Sequence, residues 1–300
     1  MTQPRIGDDM TYRKEQRRAL RRRIEAREAL LAPGIFDMIS ARVADEQGFD
    51  ALYMTGYGIS ASYLGLPDAG LSTYTDMLAC LRRMAEGCRT PIIADGDTGY
   101  GGLLNMRHTV RGYERAGAAA IQVEDQVFPK RCGHTPGREV IATEEMVAKI
   151  AVALDSRTDP DFLIIARTDA RTTHGFDEAL ARGTAYRDAG ADLVFLESLE
   201  TEAEMAEAVR RLDCPMVANM VEGGMSPLLS QGRLAELGFA LALFPASGFL
   251  SAGAALQSVY GALHRAGTTE AMRDKLADFE DFNRIVGFQE IWDFEQHHGS

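Results

Sequence analysis

The sequence lacks the short-range cysteine pairs that mark redox and zinc motifs. Its four cysteines, at 80, 88, 132 and 214, form no C-x-x-C motif and no zinc-ribbon spacing. With no secretory leader ahead of them, a reduced, cytoplasmic setting is the expectation. No apolar run approaches the roughly 20 residues that span a bilayer, so a membrane-spanning helix is not expected. Positive charge is in deficit. The 44 acidic and 32 basic side chains leave a net charge of -12, which repels polyanions and argues against a nucleic-acid partner. There is no Pro- or Ser-rich linker and no shift of composition that would mark a domain boundary, and 300 residues are within the range of one large domain.

What is present is a chain with 46% hydrophobic and 25% charged residues, enough to build a large core. After an arginine-dense stretch, "TYRKEQRRALRRRIEAREALL", the pattern becomes short apolar runs alternating with amphipathic stretches. The runs "ALLAP", "DALYMT", "PIIAD", "AIQVED", "FLIIAR", "DLVFLE", "PMVAN" and "ALALFP" read as eight strands, with helices predicted over 75 to 87, 103 to 116 and 144 to 155 among those that follow them. A glycine precedes several of these runs, in "QGFDALYM", "AGAAAIQVE", "AGADLVFLE" and "LGFALALF". Glycine there ends a helix in the left-handed conformation and turns the chain into the sheet. Eight such units predict an α/β fold, a single (β/α)8 TIM barrel of parallel strands spanning 1–300. Residues 1–28 form a helical extension covering one end, and about 267–300 form a C-terminal helical segment.

The predicted strands finish in polar residues: Tyr53 and Thr55, Asp95 and Asp97, Glu124, Arg167, Glu197, Asn219. In a barrel these converge on the face where active sites are built. Asp95 and Asp97, in the glycine-rich "IIADGDTGYGG", read either as an acidic turn with Asp97 capping the helix near Leu103, or as ligands. Adding Glu124 favours ligands, because three neighbouring carboxylates repel one another unless a cation sits among them. Oxygen donors alone select a hard ion, Mg2+ with Mn2+ as a substitute. Arg167 suits a substrate carboxylate held bidentately, or equally an ion pair with Glu124 or Glu197. Asn219 is a candidate donor to a substrate carboxylate, with Glu222 orienting its neighbours.

Cys132, in "FPKRCGH", has four readings: zinc ligand, redox thiol, buried spectator or proton donor. Zinc needs two further soft ligands, and no resolving cysteine lies nearby. The polar, glycine-containing loop 125–143, bracketed by Pro129, Gly133, Pro136 and Gly137, argues against deep burial. Lys130, Arg131 and His134 are expected to lower the thiol pKa toward neutrality, poising it to donate and recover a proton. The loop is expected to close over the site as a lid.

"ADGDTGYG", "VEDQVFPK", "KRCGH" and "ARTDA", in this order, resemble the isocitrate lyase/phosphoenolpyruvate mutase superfamily, in its 2-methylisocitrate lyase, 2,3-dimethylmalate lyase and petal death protein branch. The likeness runs from "PGIFD" to "FEDFNRIVGFQEIWDFE". It implies a barrel whose last helix is swapped with a partner subunit in a homotetramer built as a dimer of dimers. It places Asp95, Asp97 and Glu124 around Mg2+, directly or through water, with Asp68 of "LGLPD" as a further acidic residue. Cys132 falls on the proton donor of the gating loop. Tyr53, Thr55, Gly56 and Tyr57 fall on the loop that holds the 2-oxo acid portion, Tyr53 being the candidate for taking the hydroxyl proton. Gly133, His134, Arg167, Glu197 and Asn219 fall on substrate-binding positions.

The implied reaction is Mg2+-dependent cleavage of a 2-hydroxy di- or tricarboxylate to an oxo acid such as pyruvate and a second carboxylate. Where methylisocitrate lyases read "SAFR", this chain reads "SGFL", with Leu250 in place of arginine. That leans the expectation toward a substituted malate. The alternatives are an oxaloacetate hydrolase, a phosphonopyruvate mutase or hydrolase, which the "KRCGH" thiol disfavours, and a metabolite-binding barrel without turnover.

Overall fold

The computed structural model describes residues 10–299 except Pro136. Residues 1–9 of the expected N-terminal extension, Pro136 of the loop and Ser300 lie outside the described residues. The chain divides into two compact units, 1–247 and 248–300.

The first unit is a closed barrel of eight parallel strands in sequential order. They are β1 (Leu30–Ile35), β2 (Leu52–Met54), β3 (Ile92–Asp95), β4 (Ala120–Glu124), β5 (Leu163–Thr168), β6 (Leu193–Leu196), β7 (Met216–Asn219) and β8 (Leu241–Phe244). β8 pairs back onto β1, so no sheet edge is left open. All eight predicted strands and the three predicted helices are present, the helices as Tyr74–Gly87, Leu103–Ala116 and Thr143–Ser156. The repeated glycines act as expected: Gly48, Gly117, Gly190 and Gly238 all have φ between 74° and 103°. A residue with Cβ would be strained there, so the helix-to-strand turn is written into the sequence at each site.

Alternation decides what faces the barrel axis. Leu30, Ala32, Tyr53, Ile93, Ala120, Leu163, Ile165, Phe195, Val217, Leu241 and Leu243 fill the interior, and Leu20 and Ile24 of the helix Met10–Glu25 join the same cluster. That helix therefore plugs the barrel floor. Its arginines are bonded to the loops that enter the strands. Arg17 donates to the carbonyls of Glu114 (2.6 Å) and Ala118 (2.9 Å) and pairs with Asp159 at 3.1 Å. Arg21 pairs with Asp192 at 2.8 Å and Arg23 with Asp50 at 2.7 Å. The basic run is thus a structural lacing of the floor.

The second unit comprises most of the helix Ser247–Ala266, a short turn at Glu270–Lys275 and the helices Phe279–Ile285 and Phe288–His298. It begins at Gly248, ahead of the expected boundary near 267, because the helix following β8 belongs to it. It leaves large apolar side chains open, among them Tyr260 at 61%, Phe279 at 78% and Phe294 at 58% exposure. No helix among the described residues is long and apolar enough to cross a membrane.

Two substitutions test the floor. Ile24→Ala is expected to cost about 2–5 kcal/mol by opening a cavity in a fully enclosed site. Arg17→Ala is expected to cost about 3–5 kcal/mol by leaving Asp159 uncompensated. Exposed Lys14→Ala should stay within about 0.5 kcal/mol in the same urea titrations.

Candidate active site

The carboxyl ends of β2 to β7 bring the expected polar residues to one rim. Register accounts for the central pair: Glu124 of β4 sits opposite Arg167 of β5, and Arg167 opposite Phe195 of β6. The Arg167 guanidinium lies over the Phe195 ring, 5.1 Å from its centroid. Its Nε and Nη2 both reach Asp169 at 2.9 Å in a bidentate fork. Nε lies 3.5 Å from Glu124 and Nη2 3.2 Å from Glu197. Both partners named from the sequence are present, and Asp169, two residues on in "ARTDA", is the dominant one. Arg138 pairs with Asp169 from the other side at 2.9 Å. Burial would raise the Asp169 carboxyl, but Arg167 and then Arg138 outweigh it and hold it below its ordinary value.

The turn after β3 is built to hold acid. Asp97 has φ 46°, a left-handed position that costs a non-glycine residue energy and is kept only where surroundings fix it. Here its own N–H donates to Asp95 Oδ1 (3.0 Å), its carbonyl accepts from Glu124 N–H (2.9 Å), and Lys149 Nζ donates to the Thr98 carbonyl (2.9 Å). Gly56 N–H donates to the other oxygen of Asp95 at 3.2 Å. Asp97 does not cap the following helix, whose N-cap is Gly102 without a side-chain bond. The capping role expected for Asp97 in the acidic-turn reading is therefore not made.

The cation among these acids is Lys130. Its ammonium, 4% exposed, lies 2.5 Å from Asp68 and 2.8 Å from Asp97. Burial works against that charge, yet Asp97 and Asp68, helped by Glu124 and Asp95, hold the lysine well above its ordinary pKa. Burial raises Asp97 to about 6 despite Lys130. Burial also pushes Glu124 well above the carboxylate range, with Arg167 opposing and Asp169 reinforcing.

Among the described residues no three His, Cys, Asp or Glu side chains stand as a ready metal cage. Lys130 and Arg167 neutralise the carboxylates instead. The donor set nonetheless suits a hard cation. Glu124 Oε1 is a buried oxygen without a hydrogen bond among the described residues, and Asp97 Oδ1 meets the Lys130 ammonium at 2.8 Å. Mg2+ needs only one or two protein carboxylates, because it keeps water or substrate oxygens in its shell.

The loop after β4 is folded onto this rim, as a lid would be. Gln126 bridges to Val140 across its base, and the Gln126 amide clamps the backbone of Arg131. Cys132 N–H donates to the Asp68 carbonyl at 3.1 Å. Ser198 Oγ holds the Gly133 carbonyl at 3.2 Å. Gly133 packs so closely that a Cβ would stand 2.3 Å from Arg167 Nη2 and 2.8 Å from Glu197 Oε2. His134 Nδ1 accepts from Met225 N–H (3.3 Å), which leaves the ring proton on Nε2, 3.6 Å from Glu197 and 3.5 Å from Asn219. Asn219 Nδ2 donates to Glu197 at 3.0 Å.

The thiol pKa runs opposite to the expectation. Burial raises Cys132, and Asp68 adds to the rise, while the backbone N–H of His134, Arg167 and Lys130 only offset it in part. The sequence neighbours help little: Lys130 is engaged with Asp68 and Asp97, Arg131 is exposed with its guanidinium over Gly137, and burial holds His134 below its ordinary value and neutral. Cys132 is therefore a protonated thiol at neutral pH.

Of the remaining expected residues, Tyr53 is 4% exposed, and burial with Asp95 pushes its phenol well above 10, so it too carries its proton. Thr55 Oγ1 accepts from Gly58 N–H as a helix cap. Tyr57 stands at the surface, 40% exposed. Glu222 bonds the Ser247 hydroxyl and does not join the Asn219 cluster. Beneath the rim, Asp125 accepts from Tyr186 (2.7 Å), Arg182 (3.1 Å) and Asp169 N–H (3.0 Å), a support the sequence reading did not identify.

Two measurements follow from this geometry. Alkylation of Cys132 by iodoacetamide should be slow at pH 7 and climb through a midpoint above the ordinary thiol value of 9.0; a midpoint below it contradicts the burial effect. Gly133→Ala should leave the circular dichroism spectrum intact while speeding proteolysis within 126–140, because the loop no longer seats.

Comparisons with known proteins bear on the family. The phosphoenolpyruvate phosphomutase family model matches residues 20–264. A 2,3-dimethylmalate lyase of Eubacterium barkeri is 46% identical over 281 residues, 94% of this chain and 97% of that protein. A 2-methylisocitrate lyase of Aeropyrum pernix is 40% identical over 271 residues, 90% of this chain and 87% of that one. Among solved structures, an oxaloacetate acetylhydrolase bound to 3,3-difluorooxalacetate superposes with a TM-score of 0.90 at 35% identity, covering 96% and 98% of the two chains. A phosphonopyruvate hydrolase solved with oxalate and Mg2+ superposes at 0.86 with 29% identity, covering 95% and 99%. With the barrel, the acidic rim and the cysteine loop all in place, the chain belongs to the phosphoenolpyruvate mutase/isocitrate lyase superfamily.

Proposed function

We propose that the protein is a Mg2+-dependent carbon–carbon lyase that cleaves a substituted malate of the 2,3-dimethylmalate type between C2 and C3. The observation that carries this reading is the seating of Cys132, its N–H bonded to the Asp68 carbonyl, on the same rim as Arg167 and the Asp95, Asp97 and Glu124 carboxylates. The 46% identity to a 2,3-dimethylmalate lyase supports the substrate class, as does Leu250 at a position where an arginine would suit a third carboxylate.

When bound, Mg2+ supplies Lewis acidity toward the 2-hydroxy acid end of the substrate, held by Asp95, Asp97 and Glu124 directly or through water, with Asp68 behind them. Tyr53 is the candidate acceptor of the hydroxyl proton; burial and then Asp95 hold its phenol protonated, so the role requires that the phenol first lose its proton to solvent when a bound cation compensates Asp95. Thr55, Gly56 and Tyr57 border the oxo acid portion. Arg167, with Asn219, His134 and Glu197 around it, holds the departing carboxylate and stabilises the negative charge that develops there. The Cys132 S–H bond then breaks to deliver a proton to the carbon left by C2–C3 cleavage. One proton leaves the substrate hydroxyl and one returns at carbon, so 2,3-dimethylmalate gives pyruvate and propionate in balance.

A homotetramer with exchange of the C-terminal helices is part of this proposal. Its support is the open apolar surface of the second unit, where Trp292, Ile291 and Phe294 are about half exposed. A cytoplasmic location fits the unpaired cysteines.

The test is a coupled assay of 2,3-dimethylmalate, 2-methylisocitrate, isocitrate and oxaloacetate with and without Mg2+. Pyruvate from 2,3-dimethylmalate, abolished by chelation, is expected. Oxalate from oxaloacetate would instead favour hydrolase activity, which the likeness to the acetylhydrolase structure keeps as the second reading. Cys132→Ala should cut turnover by about 10²- to 10⁴-fold, the range for a lost general acid, with Mg2+–pyruvate binding nearly unchanged.

A further inference from the structure

Outside the barrel mouth, the helices Tyr74–Gly87 and Leu103–Ala116 border a cavity of about 360 Å³. It shares no residue with the rim. Its lining includes Arg107, Arg111 and Arg115, which recur every four residues and so project from one face of the second helix. At 1.5 Å rise per residue the three Cα positions span about 12 Å. Among the described residues these cations meet no carboxylate. The arginines elsewhere in the barrel mostly meet carboxylates, as Arg17, Arg138, Arg157 and Arg182 do at 2.6–3.1 Å. Among the described residues Arg107, Arg111 and Arg115 form no ion pair, and Arg111 makes only a long bond to the Ser156 carbonyl (3.4 Å). A row of unpaired guanidinium groups around one cavity, on a chain of net charge -12, is a local field that attracts anions against the field of the whole.

The rest of the lining is aromatic and apolar. The Tyr74 and His108 rings stand 4.6 Å apart, and Leu104 is 80% exposed at the edge. Tyr74 is fixed from behind by Tyr100 and Tyr113, with ring centroids at 6.0 and 6.3 Å, so it presents a rigid wall. Gly112 is required there: a Cβ would stand on the Tyr74 hydroxyl. The volume falls in the range of small-molecule sites, roughly 300–1,000 Å³. Guanidinium forks match phosphate oxygens, and planar rings accept a nucleobase by stacking.

We propose that this pocket binds a nucleoside di- or triphosphate, its phosphates along Arg107, Arg111 and Arg115 and its base against Tyr74 and His108. A single anion does not use three cations spread over two helical turns, and a polynucleotide meets the acidic remainder of the surface. The inference is independent of the reaction at the barrel mouth.

The test is calorimetric titration of the full chain, in EDTA to keep nucleotide off any divalent cation, with ATP, inorganic tripolyphosphate, adenosine and a short single-stranded oligonucleotide. ATP should bind saturably, tripolyphosphate more weakly, and adenosine and the oligonucleotide weaker still. Arg107→Gln with Arg115→Gln, both exposed and neither bonded to the fold, should weaken ATP by at least about tenfold, equivalent to about 1.4 kcal/mol. Arg107→Lys with Arg115→Lys should recover part of that loss. Hydrogen exchange should slow within 103–116 when ATP is added. No saturation in the millimolar range, unchanged affinity in the glutamine pair, or preference for adenosine or the oligonucleotide would each overturn the proposal.

Discussion

The constraint on which the site depends is the cost of holding carboxylates at the closed mouth of a barrel. Glu124, Asp169 and Glu197 are each no more than 2% exposed, and Asp95 and Asp97 no more than 7%. Ionised groups in such a place are tolerated only when opposite charge and hydrogen bonds replace the water they lose. Arg167 provides this on one side, gripping Asp169 in a fork and touching Glu124 and Glu197. Lys130 provides it on the other, between Asp68 and Asp97. Lys130 belongs to the loop and not to the barrel, so neutralising the rim and covering it are one event. The same closure half-buries Cys132, which raises its thiol pKa and favours the protonated form a carbon-protonating acid needs.

Much of this architecture was legible in the sequence, for reasons that are local. The eight apolar runs became the eight strands because buried parallel strands read as continuous apolar segments. The glycines before β2, β4, β6 and β8 were readable because a left-handed residue, which glycine adopts without strain, is a common way to end a helix and turn into a strand. Rim residues could be named because they follow those runs directly.

What escaped reading depends on how distant segments fold back. Lys130 looked like a neighbour that would acidify Cys132, but its charge is consumed by Asp68 and Asp97, which lie far from it in sequence. The sign of the thiol shift turned on burial, which outweighs the help that the His134 backbone, Arg167 and Lys130 still give. Asp169 was visible two residues after Arg167, yet nothing local says that a guanidinium will turn back onto it. Arg138, Asp125, Arg182 and Tyr186 form a supporting layer under the loop that only the three-dimensional arrangement assembles. Of the arginines in the basic N-terminal helix, Arg17 serves backbone carbonyls and a buried acid, and Arg18 stays exposed, a division that helical spacing alone does not reveal.

The central claim is that the Lys130 ammonium fastens the loop to the acidic rim. Hydrogen exchange of the Cys132 amide, bonded to the Asp68 carbonyl at 3.1 Å, measures that fastening directly when the native chain is compared with Lys130→Gln. Loss of protection across 126–140 with the barrel strands still protected is the expected result. Equal protection of that amide in both proteins would contradict the account.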